Sequence, residues 1–380
     1  MVYFDNSATT IPYPEVIDTF STVARSYFAN PSSLHPLGKE AEQLLNHARK
    51  KVASILAVEA KEIFFTSGGT EGNNLAIKGT ARQLQKRGKH IITTSLEHSS
   101  THDAMAELEN DGFSITYLTP DMNGQVSAEQ IENAITSETI LVSMIHVSNE
   151  LGSKQPVEET GAILRKYPKI VFHVDHVQGI TKVPLSIKDA SIDLCTISAH
   201  KFHGLKGNGV LYVRQGLKLS PLFSGGQQEK GFRPGTENLA GIVSLTKALR
   251  MAFDKADDKI ASLKDLSTWI EREVSEIDGV VMNSPLNRAP HILNFSILHM
   301  KPEVIVQALA ERDIYVSTKS ACSSKNFEPS RVLSSLGFSE TRASSAIRVS
   351  LSFDNTKDEA IYFVKTLKDI VSTMKKVVKV

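Results

Sequence analysis

Only two cysteines, Cys195 and Cys322, occur in 380 residues. That number cannot build a disulfide framework or a four-thiolate zinc ribbon, so the fold must rest on its core and a reactive thiol would stand alone. An excess of one charge is also missing: 43 Lys and Arg face 42 Asp and Glu. Nothing in that balance draws the chain to nucleic acid or to a membrane surface. No run of about eighteen apolar residues occurs, and Met1-Val2-Tyr3-Phe4-Asp5 has no basic stretch ahead of an apolar one. The reading is a soluble, cytoplasmic protein. Short repeats, low-complexity tracts and Pro/Ser-rich linkers are absent too, which leaves domains joined through ordinary secondary structure.

What is present is length enough for a large domain with a smaller one beside it. β-rich runs at 62–65, 90–94, 139–145, 170–174 and 193–197 alternate with helical patterns such as 39–56 and 70–87. The alternation predicts an α/β fold on a mostly parallel sheet with helices on both faces. A long helical pattern over 239–277, followed by strands near 291–297 and 346–351, predicts a smaller C-terminal α/β domain. We place the large domain at 12–250 and the small one at 1–11 together with 251–380. Ligands in such sheets sit beyond the carboxyl ends of the strands, so polar residues just after the β-rich runs are the first functional candidates.

Three such places carry chemistry. The run Ile63-Phe64-Phe65-Thr66-Ser67-Gly68-Gly69-Thr70-Glu71-Gly72 passes from strand through glycines into a helix, where exposed amides and the helix dipole suit a phosphate. It lacks the lysine of a P-loop and the spacing of a dinucleotide fingerprint; a Gly turn with Ser67 or Thr70 as a helix cap is the plain alternative. Asp175, in His173-Val174-Asp175-His176-Val177-Gln178, falls near a strand's carboxyl end, where an acid can keep a pyridinium nitrogen protonated, or simply cap a turn. Lys201, in Thr196-Ile197-Ser198-Ala199-His200-Lys201, enters among hydroxyls and imidazoles, the setting a Schiff-base lysine requires. Most lysines are solvated surface charges; the order phosphate loop, acid, lysine, each after a strand of one sheet, sets this one apart.

That order resembles the cysteine desulfurases of the NifS and IscS type, within the aminotransferase class V group of fold-type I pyridoxal-phosphate (PLP) enzymes. The resemblance runs nearly end to end. It takes in Tyr3-Phe4-Asp5-Asn6, Asn30-Pro31-Ser32-Ser33, the glycine loop, Glu97-His98, Ser148-Asn149-Glu150, 173–178, 198–201, Arg233-Pro234-Gly235-Thr236, Ser320-Ala321-Cys322 and Ile347-Arg348-Val349. It implies a large domain with a mostly parallel seven-stranded sheet. It also implies that Lys201 holds PLP as a Schiff base, Asp175 pairs with the ring nitrogen, Gln178 meets the ring hydroxyl, and His98 stacks on the ring and helps in proton transfer. Gly69, Thr70, Ser198 and His200 would hold the phosphate, with Thr236 reaching it from the neighbouring subunit of a homodimer. Asn149 and Arg348 would bind the carboxylate of L-cysteine, and Cys322 would take the sulfur as a persulfide for an acceptor protein. Phe202-His203 and Ser350-Leu351-Ser352-Phe353 depart from the family's usual residues, and the run after Met374 is shorter than the tail that docks an iron–sulfur scaffold. Those departures raise a dedicated paralogue, one that serves a tRNA- or thiamine-thiolation enzyme, beside iron–sulfur assembly.

Two other readings compete with this one. A metal hydrolase could draw on His98 and His102, four apart on an expected helix, with His173, Asp175 and His176, but no HExxH order supports it. A degenerate scaffold for a sulfur carrier would be colourless, whereas the enzyme should be yellow. Cys195, inside a β-rich run, reads as a buried strand thiol, while Cys322 lies in a polar, small-residue stretch ahead of a helix expected from about Pro329.

Overall fold

The computed structural model of the chain describes residues 1–318 and 329–378. Twelve strands run through the described residues: β1 Val2–Tyr3, β2 Ile63–Thr66, β3 His90–Thr94, β4 Ser114–Leu118, β5 Thr139–Ile145, β6 Val171–Asp175, β7 Leu194–Ser198, β8 Gly209–Val213, β9 Val280–Met282, β10 Ile292–Ile297, β11 Ile314–Tyr315 and β12 Ala346–Ser350. Seven of them form one sheet in the order β2-β8-β7-β6-β5-β3-β4. β8 runs antiparallel to both neighbours, and every other pair is parallel. The interior strands β3, β5, β6 and β7 are buried along their whole length, as expected where helices cover both faces. Edge strand β4 alternates in Ser114-Ile115-Thr116-Tyr117-Leu118 and is partly exposed.

The chain leaves β3 in one direction, to β4, and returns on its other side as β5, so the sheet order reverses there and opens a crevice at the carboxyl ends of the strands. Close helix packing shapes that crevice. A Cβ at Gly72 would lie 2.7 Å from Thr196 Cγ2, so only glycine lets the helix Gly69–Leu84 settle onto β7.

Beyond the large sheet, β12-β10-β9 form an antiparallel sheet, and β1 pairs in parallel with β11. The helix Leu239–Ser275 serves two cores in turn. Leu239, Ile242, Leu245 and Leu249, spaced three or four apart on one stripe, pack into the core of the large sheet, while Leu263, Leu266, Ile270 and Val274 pack with Phe295 and Phe363 beneath the smaller one. The N-terminal segment joins this second core through Phe4, fully buried and edge-on to Phe363 at 5.6 Å, a burial that contributes about 2–3 kcal/mol. No helix among the described residues is long and apolar enough to cross a membrane.

The predicted runs coincide with strands to within a residue at most ends, but β4 and β8 of the large sheet and the short strands β1, β9 and β11 lie outside them. The helix expected from about Pro329 is the single short turn Arg331–Ser335, and Cys322 lies outside the described residues.

Candidate active site

A cavity of about 160 Å³ opens at the carboxyl ends of the central strands. Gly69, Thr70, His98, Asn149, Asp175, Gln178, Ser198, His200, Lys201 and Arg348 all line it, so segments more than two hundred residues apart meet there. Thr236 does not line the cavity and is exposed.

Lys201 follows β7 in the short turn Ala199–Lys201, which aims its amine across the crevice at the N-terminal segment. Its Nζ donates to the carbonyls of Ser7 at 2.5 Å and Ala8 at 2.8 Å. From beneath, the buried amine of Lys182 donates to the carbonyl of Lys201 at 2.8 Å. The turn is also locked to residues 10–13: Thr10 N donates to the carbonyl of His200 at 2.8 Å, His203 N donates to Thr10 Oγ1 at 2.7 Å, and the His203 ring stacks on Tyr13 at 4.3 Å. His203 therefore works as an anchor of the lysine turn.

Asp175 ends β6 with both carboxylate oxygens engaged. Oδ1 accepts from Val177 N at 2.9 Å and Oδ2 from Asn73 Nδ2 at 2.7 Å. Asn73 Nδ2 also lies 2.9 Å from Ser100 Oγ, which in turn meets His98 Nδ1 at 2.8 Å. A buried relay thus joins the acid to the imidazole. His98 is not inside a helix, as the pairing with His102 supposed; it is the N-cap of Ser99–Asn110, and its Nδ1 accepts from Ser100 N at 3.2 Å. Burial holds the ring below its ordinary pKa, against the pull of Asp175, and with Nδ1 accepting from Ser100 N the neutral ring carries its proton on Nε2. Beside it Glu97 is wholly buried, accepting from Thr94 Oγ1 at 2.7 Å and Ile145 N at 2.8 Å, and burial pushes its carboxyl up to about 8.

Arg348, on β12, is 1 % exposed. Nη1 donates to the carbonyl of Asn149 at 2.9 Å, Nη2 to Asp5 Oδ1 at 3.1 Å and to Ser317 Oγ at 3.3 Å, while Nε has no partner among the described residues. A buried guanidinium with a spare donor at a cavity wall suits a carboxylate. Asp5 itself is shifted upward by burial, an effect that Arg348 opposes. Gln178 Nε2 donates to the carbonyl of Ser7 at 2.9 Å, and His200 Nδ1 lies 3.2 Å from Thr9 Oγ1. His173, one member of the alternative metal cluster, spends its two ring nitrogens on the hydroxyls of Ser143 and Thr196.

These groups fit PLP. An amine for the aldehyde, a carboxylate at the strand end for a ring nitrogen, an imidazole on the cavity wall, and a helix N-terminus with Gly69, Thr70, Ser198 and His200 for a phosphate all face one space. Asn73, Ser100, Asp5 and Lys182 have no role in the sequence reading, although Asp5 stands inside a run singled out there and Asn73 directly follows the glycine run.

Known proteins share this fold and much of this sequence. Residues 2–363 match the family described as aminotransferase class-V. A curated relative from Lactobacillus delbrueckii subsp. bulgaricus, described as a NifS/IcsS protein homolog, is 43% identical, with 99% of each chain covered. A cysteine desulfurase IscS from Dictyoglomus turgidum is 41% identical over 98% of this chain and 95% of its own. Among solved structures, a NifS-like protein superposes with a TM-score of 0.92 at 36% identity, covering 98% of this chain and 99% of that one. The near-complete overlap and the shared fold point the same way, and the chain belongs to the aminotransferase class-V family.

Proposed function

We propose that this protein is a PLP-dependent cysteine desulfurase, converting L-cysteine to L-alanine and passing the sulfur to Cys322 as a persulfide. The observation that carries the reading is the meeting of Lys201, Asp175 and Arg348 around one cavity in a class-V chain. Bound there, PLP supplies the electron sink that makes an amino acid's α-proton removable.

The chain's own residues account for the rest. Arg348 and Asn149 grip the substrate carboxylate, and burial of the guanidinium makes that grip strong. Lys201 holds the cofactor at rest and afterwards moves the α-proton. Asp175, kept in place by Val177 N and Asn73, stabilises a protonated ring nitrogen. His98, neutral and carrying its proton on Nε2, is placed to donate from the wall. Gly69, Thr70, Ser198 and His200 hold the phosphate, and Gln178 the ring hydroxyl. The thiolate of Cys322 attacks the substrate sulfur: the carbon–sulfur bond breaks, a sulfur–sulfur bond forms, and the carbon left behind takes a proton to give alanine.

The protein acts in the cytoplasm as a homodimer, with Thr236 serving the neighbouring subunit's phosphate site; its exposure away from its own cavity is the support for that placement. The persulfide then goes to an acceptor protein, either an iron–sulfur scaffold or a thiolation enzyme. To test the reading, purified protein is mixed with PLP and L-cysteine. A yellow protein that releases alanine in proportion to sulfur, and that borohydride tags on the peptide holding Lys201, is the expected result. A colourless protein, or an adduct on another lysine, would overturn it.

A further inference from the structure

Glu71 is an anion placed where the proposed function calls for another. It sits in the first turn of the helix Gly69–Leu84, whose N-terminal amides are assigned to the cofactor phosphate. Its side chain is only 8 % exposed, and a carboxylate so close to a phosphate dianion would repel it. Burial alone would raise its pKa, but hydrogen bonds from Ser67 and Arg233 prevail and keep it ionised. The charge is there for a reason: Oε2 accepts from Ser67 N at 2.9 Å and braces the Ser67-Gly68 turn, in which Gly68 takes φ +151°. Oε1 accepts from Arg233 Nε at 3.0 Å.

Arg233 does not reach Glu71 from a loose loop. Just before it, Glu229 is buried and accepts from Arg49 at 2.8 and 2.5 Å and from Phe65 N at 2.9 Å, on the strand that leads into the glycine turn. Glu229 and Lys230 both adopt left-handed backbone, φ +47° and +55°, each at a cost of roughly 1 kcal/mol that the surrounding bonds offset. The segment therefore stays anchored if Arg233 alone is changed.

Resting on the reading of the cavity as a PLP site, we propose that Arg233 is a charge-compensating positioning residue of the phosphate cradle: by pairing with Glu71 it lets a carboxylate brace the glycine turn without repelling the phosphate. An ordinary half-exposed ion pair would be nearly neutral to cofactor binding. The compensating role makes a sharper demand, because its loss must be felt by the phosphate and by no other part of the ligand.

The experiment compares PLP with pyridoxal, which lacks the phosphate, by titrating cofactor-free protein and reading visible absorbance. Wild type should prefer PLP. Arg233→Gln should lose about ten-fold in PLP affinity, the order expected of one uncompensated, partly buried charge, with pyridoxal affinity held within about two-fold. Arg233→Lys should retain most of the preference, and Glu71→Gln added to Arg233→Gln should restore part of it. Equal losses for both ligands, an unchanged preference in Arg233→Gln, or no recovery in the double variant would overturn the proposal alone. A wild type that takes up no PLP would overturn both it and the cofactor reading.

Discussion

The amine of Lys182, buried with no carboxylate against it among the described residues, donates its hydrogen bond to the carbonyl of Lys201, so one lysine holds the backbone of the other. Burial pushes Lys182 down to about 8 from its ordinary 10.5. Between those values the folded protein carries it neutral while the unfolded chain carries it charged, so the unfolded state binds more protons and Lys182 contributes a stability that rises with pH. The stability gap between wild type and Lys182→Met should therefore move in favour of wild type by up to about 3 kcal/mol across that window. Urea titrations at a series of pH values measure it; a gap that stays flat would contradict the buried amine.

Buried imidazoles should act in the same direction as Lys182, over a lower range of pH. Burial pushes His146 and His203 down to about 4 and His173 to about 3, with His176 and His291 also well below 6.5. Each folded value lies below the unfolded one, so the stability these rings contribute is complete above about pH 6.5 and drains away as pH falls toward 4. The urea midpoint should drop steeply over that range, and calorimetry at pH 5 should record uptake of more than one proton on unfolding.

The two cysteines should separate cleanly. Cys195 is wholly buried on β7, and burial drives its thiol far above the ordinary range. Alkylation of the native protein should spare it, and Cys195→Ala should form alanine at a rate within about two-fold of wild type. Cys322→Ser should still take up PLP and respond spectrally to cysteine, yet yield neither alanine nor a persulfide by mass spectrometry. Turnover at the wild-type rate in that variant would remove Cys322 from its assigned role.

Replacing Arg348 by lysine keeps a charge but loses the planar fork that now spans Asn149 and Asp5. The KM for L-cysteine should rise about ten- to a hundred-fold, while cofactor colour is retained. Steady-state kinetics on the yellow variant decide this; an unchanged KM would place the substrate carboxylate elsewhere.

Much of this site is legible along the chain because strand ends announce themselves. Asp175 and Lys201 each close a β-rich run, and the parallel order of the sheet brings those ends to one edge. What stays hidden is whatever depends on contacts across long separations. Asn73 reaches Asp175 over 102 residues and Asp5 reaches Arg348 over 343, and no local pattern marks either pair. β8 escaped because a short stretch ahead of a turn, Gly209-Val210-Leu211-Tyr212-Val213, gives no sign that it will insert antiparallel between β2 and β7. His98 was placed on a helix because the pattern around it is helical; its cap position depends on one hydrogen bond back from Ser100.

The segment of residues 2–8 lies across both halves of the fold: Val2 pairs with Ile314, Asn6 Nδ2 reaches the carbonyl of Ser350 at 3.0 Å, and Ser7 and Ala8 present their carbonyls to Lys201. On the ribosome these residues are made more than three hundred residues before their partners near 315 and 350. Domains tend to fold as they emerge, yet this strap must wait for its partners until the residues near 350 have been made. Assembly of the lysine pocket is therefore a late event, and a nascent chain stalled short of residue 350 could carry a finished large sheet without a working site.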